Sequence, residues 1–166
     1  MKLFIKAAAV LAAAMLMLCS CGDEEKIVHN YEKPIENLIT AAEHSDTDSY
    51  LNCFTPQAKE TYIADDEYNE KLAENVLEGG KLEGTDFETK SSEDLTADEL
   101  SELEKEYKAK YKKTVTMKKG ERLNVDFTAL RGEKSVSDNL DIVVVRINDS
   151  WFIYGDVIEG FAFQTD

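Results

Sequence analysis

The chain has 166 residues, of which 19 are Lys or Arg and 34 are Asp or Glu, so its formal net charge at pH 7 is −15. A surface this acidic repels nucleic acids and other polyanions, which excludes nucleic acid as an expected partner. The length suits a single domain of ordinary size.

The first 21 residues, MKLFIKAAAVLAAAMLMLCSC, combine a basic start with an apolar run over residues 7–18. The run is shorter than the roughly 20 residues of a membrane-spanning helix and is typical of a secretory signal. Its end, LCSC, resembles the lipobox of bacterial lipoproteins. The resemblance implies that cleavage after Ser20 removes residues 1–20, and that a lipid on Cys21 anchors the chain to the outer face of the bacterial cell membrane. The alternative is an ordinary cleaved signal and secretion into the medium.

The chain that follows the signal divides into a tether and a domain. Loss of Lys2 and Lys6 leaves 17 basic residues against 34 acidic ones, a balance of −17. Residues 21–29 hold the lipidated cysteine and an acidic, hydrated tether, and residues 30–166 form one domain. Cys53 is then the only other cysteine, so no intramolecular disulfide forms, and its apolar surroundings in SYLNCF predict a buried thiol.

Two helices are predicted at the start of the domain. The first has Pro34 in its first turn, where a missing N–H costs little. Its apolar face is formed by Tyr31, Ile35, Leu38, Ile39 and Ala42. The second helix is short, begins at Asp46 or Asp48 as N-cap, and carries Tyr50, Cys53 and Phe54.

Further helices are predicted on both sides of a glycine pair. One begins with Thr55 as N-cap and Pro56 as its first residue, and residues 67–78 continue helically until Gly79 and Gly80. After a strand-like stretch, TDFETKSSEDLT, the sequence TADE at 96–99 is a capping box. The helix that it starts extends to about residue 112 and buries Leu100, Leu103, Tyr107 and Tyr111.

The last third of the domain is predicted to be β-sheet. RLNVDFTAL alternates between an apolar and a polar face, with Leu123, Val125, Phe127 and Ala129 on the apolar one. DIVVVRI and WFIYG flank NDS, in which Asn148 and Asp149 both tolerate the left-handed backbone of a tight hairpin. Helices that lead and strands that finish predict an α+β domain with helices on one face of an antiparallel sheet.

The order of these elements is similar to a known pattern. A lipoprotein signal, PIENLITAAEHSDTDSYLNCFTP, more helix and strands ending in VVVRINDSWFIYGD resemble bacterial lipoproteins with a nuclear transport factor 2-like, or cystatin-like, domain. The features that match are Asp46 or Asp48, the pair Thr55-Pro56, and Trp151 after the last turn. The resemblance implies a cone-shaped domain, with N-terminal helices on a curved antiparallel sheet. The extra helix near 97–112 resembles a Gram-positive subgroup. Members include isomerases, dehydratases and non-catalytic binders, so the fold alone does not choose a function.

The strand DIVVVRI is apolar on both faces, because Ile142 and Val144 alternate with Val143, Val145 and Ile147. A sheet covered by helices on one face does not need a second apolar face. The second face is therefore expected to meet another copy of the chain, the C-terminal tail or a ligand. The residues predicted to line a pocket or interface are Phe127, Ile142, Val144, Trp151 and Tyr154.

Basic residues concentrate between positions 105 and 122. The candidate patch comprises Lys110, Lys112, Lys113, Lys118, Lys119 and Arg122. Such a patch suits anionic lipid headgroups or an acidic partner. The alternative is that lysines near the end of a helix stabilise its dipole.

Catalytic and metal motifs are missing from the sequence, which has no HExxH, no GxSxG and no phosphate-binding glycine loop. His29 lies beside the tether, His44 ends the first helix, and Asp126 lies on the strand face opposite Val125 and Phe127. We therefore expect no catalytic residue, no cofactor and no metal ion.

The resulting hypothesis is a lipid-anchored, extracytoplasmic, non-catalytic module that binds a small molecule, a peptide or an envelope protein. One alternative is a module that self-associates as a homodimer through the sheet, using Ile142 and Val144. Another is a cone-pocket enzyme of the isomerase or dehydratase type. The enzyme would require a buried carboxylate with a perturbed pKa beside a tyrosine.

Overall fold

The computed structural model describes residues 28–44, 46–64 and 82–155, which form an α+β arrangement of helices and a four-stranded antiparallel sheet. The helices are α1 Lys33–Glu43, α2 Thr47–Leu51, α3 Pro56–Ile63 and α4 Ala97–Tyr111. The strands are β1 Leu82–Asp94, β2 Met117–Arg131, β3 Lys134–Ile147 and β4 Ser150–Tyr154. The predicted signal peptide, most of the tether and the predicted helix at 67–78 lie outside the described residues.

The helix boundaries follow local capping chemistry. Pro34 occupies the first turn of α1, as its sequence position predicted. Asp46, and not Asp48, is the N-cap of α2, because its carboxylate accepts hydrogen bonds from the backbone N–H (3.0 Å) and hydroxyl (2.6 Å) of Ser49. Thr55 precedes Pro56 at the start of α3 with its backbone extended, but its side chain makes no capping hydrogen bond.

Helix α4 is defined at both ends. The predicted capping box is confirmed: Thr96 Oγ1 accepts the N–H of Glu99 (3.3 Å), and the Glu99 carboxylate accepts the N–H of Thr96 (2.8 Å). Lys112 adopts a left-handed backbone with φ 56° and ends the helix. The sequence therefore located both ends of this helix to within a residue.

The sheet has the order β1-β2-β3-β4, so each strand pairs with its neighbour in sequence. The β3–β4 hairpin pairs Ile147 with Ser150 and turns at Asn148, whose φ is 56°, as predicted. On the outer side of β4, the N–H of Ile153 donates to the carbonyl of Cys53 (2.8 Å). The short segment after α2 therefore lies against this edge of the sheet.

The first face of the sheet carries the main core. Side chains from β2, β3 and β4 pack there against α1, α2 and α3. The predicted alternation in β2 is confirmed, since Leu123, Val125 and Phe127 are each 0% exposed. Strand side chains alternate between faces, so the intervening residues of β2 point to the other side.

The second face is covered in part by α4, which corrects the prediction that helices pack on one face only. Tyr107 forms a second core with Met117, Val145 and Ile147. Leu100, Leu103, Tyr111, Val143, Phe152 and Tyr154 are partly buried around it. Strand β3 is apolar on both faces because both faces pack against helices of the same chain. One face contacts α1, α2 and α3, and the other contacts α4.

Candidate functional site

An open cleft of about 510 Å³ lies where the C-terminal half of α4 meets the end of β4 and the start of α3. We call it the tyrosine groove. It is lined by Thr55, Glu106, Ala109, Lys110, Tyr111, Tyr154 and Gly155. Its volume falls in the range of small-molecule sites, and aromatic rings with a few polar groups are typical linings of such sites.

Three packed tyrosines position the walls of the tyrosine groove. The buried Tyr107 ring packs against two groove residues, with its centroid 4.8 Å from that of Tyr111 and 6.5 Å from that of Tyr154. The spacing of Tyr107 and Tyr111 by four residues places both rings on one side of α4. Edge-on and tilted contacts at these distances stabilise aromatic clusters.

Hydrogen bonds fix two of these rings. The Tyr107 hydroxyl donates to Gln57 Oε1 (2.5 Å) and accepts the backbone N–H of Gln57 (3.3 Å), which joins α4 to α3. The Tyr154 hydroxyl donates to the carbonyl of Leu103 (3.1 Å), which joins β4 to α4. The groove walls are therefore held by three different elements.

The tyrosine groove carries one acidic and one basic side chain. Burial raises the pKa of Tyr154 to about 12, and the nearby negative charge of Glu106 adds to this shift. The Lys110 ammonium lies 5.4 Å from the centroid of the Tyr111 ring, within cation–π range. Tyr154 is therefore a neutral hydrogen-bonding group at physiological pH, and the charged groups stand at the edge of an aromatic surface.

The predicted pocket or interface residues are divided by the structure. Tyr154 lines the tyrosine groove, whereas Trp151 lies in a separate cleft beside α1. Phe127, Ile142 and Val144 are 0%, 3% and 0% exposed in the main core. Their prediction as accessible pocket or interface residues is wrong, because α1, α2 and α3 cover the face on which they lie.

Sequence reasoning missed Glu106, Ala109 and Tyr111 as groove residues. Tyr111 was predicted only as a buried residue of the helix, and it is half-buried. The signal that pointed to it was the aromatic pair at positions 107 and 111, but nothing local indicates that β4 packs beside this pair.

The predicted basic patch is also divided. Arg122 contacts Glu99 (3.1 Å) in the first turn of α4, whereas Lys112 follows the last turn, about 20 Å away along the helix. Lys118 contacts Asp149 (3.5 Å) beside the β3–β4 hairpin. Arg122 therefore lies apart from Lys112, and the patch as a whole stays a prediction.

The exposed part of the second sheet face is a polar network. Asp126 lies there as predicted, opposite to the core, and accepts from the amide of Asn139 (2.5 Å). Lys90 lies 3.3 Å from the other carboxylate oxygen of Asp126. These contacts, led by the Asn139 hydrogen bond, lower the pKa of Asp126 and keep it ionised. An exposed, ionised carboxylate satisfied in this way is a structural group.

The histidines and the remaining cysteine occupy structural positions in the described region. His29 stacks on Tyr31 at a centroid distance of 5.1 Å, and the His44 ring N–H donates to the carbonyl of Thr40 (2.7 Å). Cys53 is buried, as predicted, and burial raises the pKa of its thiol to about 12. A thiol with so high a pKa is a poor nucleophile.

The described part of the chain has neither a membrane-spanning helix nor a cluster of metal-ligating side chains. Within residues 28–44, 46–64 and 82–155, no helix has the length and apolar character needed to cross a membrane. Over the same ranges, no group of three or more His, Cys, Asp or Glu side chains has a metal-binding arrangement. Comparison with protein-family models, curated proteins and solved structures gives no match in any of the three.

Proposed function

We propose that this protein is a lipid-anchored, extracytoplasmic lipoprotein whose domain binds a ligand in the tyrosine groove without catalysing a reaction. The observation that carries the proposal is the groove itself, a preformed cleft of about 510 Å³ with aromatic walls. The ligand class that suits it is a small molecule or peptide side chain with an apolar or aromatic body. The signal and lipobox at residues 1–21 support the anchored location.

The absence of catalysis is part of the proposal. Glu106 is the carboxylate of the groove, and its side chain is exposed. Among the carboxylates of the described residues, Glu121 has a raised pKa, and it pairs with Asp94 and does not line the groove. An isomerase or dehydratase would instead place a buried acid or base against its substrate.

The fold is proposed to be the cone-shaped, cystatin-like type of Gram-positive lipoproteins. Its support is the order of elements, with α1, α2 and α3 preceding a sheet of sequentially paired antiparallel strands. Helix α4, inserted between β1 and β2, is the extra helix that the resemblance to the Gram-positive subgroup implies. A crystal structure with a flat sheet and no concave face would contradict this assignment.

Lipid attachment is tested by growing cells with labelled palmitate. The parent chain and Cys19→Ser are expected to take up label, because serine at that position keeps the lipobox pattern. Cys21→Ser is expected to take up none. Equal labelling of Cys21→Ser and the parent would refute the anchor.

Ligand binding in the groove is tested with the neutral apolar dye Nile red as probe. Ala109 lines the groove, and Ser101 is an exposed residue of the same helix outside it. We expect Ala109→Trp to fill the groove and weaken dye binding about ten-fold, a loss of about 1.4 kcal/mol. The matched control Ser101→Trp should bind the dye like the parent. Equal binding by all three proteins would refute the groove as the site.

A further inference from the structure

The segment that enters the domain packs beside the β3–β4 hairpin. His29 stacks on Tyr31, and the Tyr31 ring meets the Trp151 ring edge-on at a centroid distance of 6.2 Å. Asn30 and Lys33 line the same cleft as Trp151. The point at which the tether joins the domain is therefore fixed next to this hairpin.

Four cations gather around this point, which we call the hairpin end: Lys33, Lys118, Lys119 and Arg146. Lys33 and Arg146 line one cleft of about 430 Å³ with Asp149. Asp149 lies between two of the cations, 3.3 Å from Arg146 and 3.5 Å from Lys118. Glu36 is the exposed acid of the first turn of α1, and the charge of Lys119 acts on the nearby carboxyl of Glu121.

Two of these cations lie opposite each other in the sheet, where their repulsion lowers its stability. Lys119 on β2 pairs directly with Arg146 on β3 in the antiparallel register. Like charges directly opposite each other destabilise such a pair. The processed chain as a whole is strongly acidic, with a balance of −17 after loss of Lys2 and Lys6. The hairpin end therefore carries four cations within an otherwise acidic molecule.

The tether brings the hairpin end within reach of the membrane. Seven residue steps separate Cys21 from Val28, so the chain between them spans at most about 25 Å. Charges act over a Debye length of about 8–10 Å at physiological ionic strength. A tether of this length allows the hairpin end to come within this distance of the membrane, whereas the acidic surfaces of the domain are repelled from anionic lipid.

We propose that the hairpin end docks on anionic lipid headgroups of the membrane to which Cys21 anchors the chain. This inference rests on the proposed lipid anchor and adds an orientation and a lipid class to it. Lys33, Lys119 and Arg146 face the phosphates, and Trp151 lies at the level of the headgroups. Tyr154 is four residues along β4 from Ser150, so the tyrosine groove opens about 13 Å from the hairpin tip.

Trp151 is the only tryptophan of the chain and reports directly on this contact. The lipidated processed protein, which begins at Cys21, is reconstituted into vesicles of phosphatidylcholine, with or without phosphatidylglycerol, that contain headgroup spin-labelled lipid. We expect strong quenching of Trp151 on the anionic vesicles, little on the neutral ones, and loss of the difference in about 0.5 M NaCl. Salt-independent or charge-independent quenching would overturn the inference, because the contact would then not depend on the cations of the hairpin end.

Charge reversals separate this surface from the general charge of the molecule. Lys33→Glu with Lys119→Glu should reduce the phosphatidylglycerol-dependent quenching at least about five-fold. The matched control is Lys113→Glu with Lys134→Glu, two exposed sites away from the hairpin end, which should leave the quenching unchanged. An equal reduction in both pairs would overturn the inference. Protein that fails to float with either kind of vesicle refutes the lipid anchor as well, whereas floating protein without the charge effect refutes only the docking.

Discussion

Gly120 on β2 packs closely against Leu95 and Leu100 at the start of α4. A Cβ atom at this position would lie 2.7 Å from Leu95 Cδ1 and 3.0 Å from Leu100 Cδ2. Leu95 is itself buried, and its N–H donates to the carbonyl of Gly120 (2.8 Å). The missing side chain therefore allows the loop before α4 to pack on the second sheet face.

Gly120→Val should destabilise the protein by about 1–3 kcal/mol, because two methyl groups would force Leu95 and Leu100 out of place. Urea unfolding of the purified protein measures the loss. Gly120→Val combined with Leu95→Ala should cost less than the sum of the single changes, since the smaller residue makes room. Strict additivity would show that the strain lies elsewhere.

Glu121 and Asp94 face each other across β2 and β1. Burial raises the pKa of Glu121 to about 7, and its hydrogen bond to Asp94 and the charge of that carboxyl add to the shift. Lys119 opposes the shift. The folded protein therefore binds a proton at Glu121 between pH 4.5, the usual pKa of a glutamate, and pH 7, where the unfolded chain does not.

Because the pKa is raised on folding, Glu121 is expected to make stability fall as pH rises from 4.5 to 7. Glu121→Gln should flatten this part of the profile and raise the unfolding free energy above pH 7 by less than about 1 kcal/mol, since the pair is largely solvated. Glu133→Gln, an exposed substitution in the β2–β3 turn, is the control and should leave the slope unchanged. A parent profile without this slope would contradict the pairing.

At the scale of elements, α4 is the helix whose start is best defined by side-chain chemistry. The Glu99 carboxylate accepts from both the N–H and the hydroxyl of Thr96, at 2.8 Å each. These bonds, together with Arg122, lower the pKa of Glu99. Helix α4 covers the second core and forms one wall of the tyrosine groove. The N-cap that stabilises this helix therefore contributes to the stability of the second core.

Thr96→Ala removes the N-cap and should cost about 1 kcal/mol of unfolding free energy. Nile red binding should weaken only in proportion to any unfolding, because the groove lies at the other end of α4. Thr114→Ala, an exposed change in the loop after the helix, is the matched control for urea unfolding. Equal midpoints for the two variants would contradict a stabilising role of the cap.

The sequence predicted β2, the last hairpin and α4 correctly, because interactions between residues close in sequence determine where these elements lie. Alternation located β2, Asn148 located the last hairpin, and the capping box located α4. It did not predict that α4 covers the second face of the sheet. The apolar residues of a helix show that one side is buried, but the surface that buries it is set by contacts between residues far apart in sequence.

The candidate site was less predictable for the same reason. Tyr154 was found because aromatic residues crowd the C-terminal strand, whereas Ile142 and Val144 were misassigned because both faces of β3 are apolar. The tyrosine groove depends on where α4 ends relative to β4 and α3. Neither capping nor alternation carries information about that distance.

At the scale of the whole molecule, charge is the dominant feature. The described ion pairs lie at the surface: Lys105–Glu102 has side chains that are 69% and 66% exposed, and Lys90–Glu88 has 43% and 72%. Exposed pairs of this kind contribute little to stability. Against a formal net charge of −15, net self-repulsion should therefore outweigh local attraction.

The unfolding temperature at pH 7 should consequently rise by a few degrees between low salt and about 0.5 M NaCl, because screening weakens the repulsion. The internal control is the same measurement near the isoelectric point of about 4.5, where the net charge is small and the effect should vanish. An unfolding temperature that falls with salt at pH 7 would mean that the ion pairs dominate. Screening would then weaken attraction between oppositely charged side chains more than it weakens the repulsion among the acidic residues.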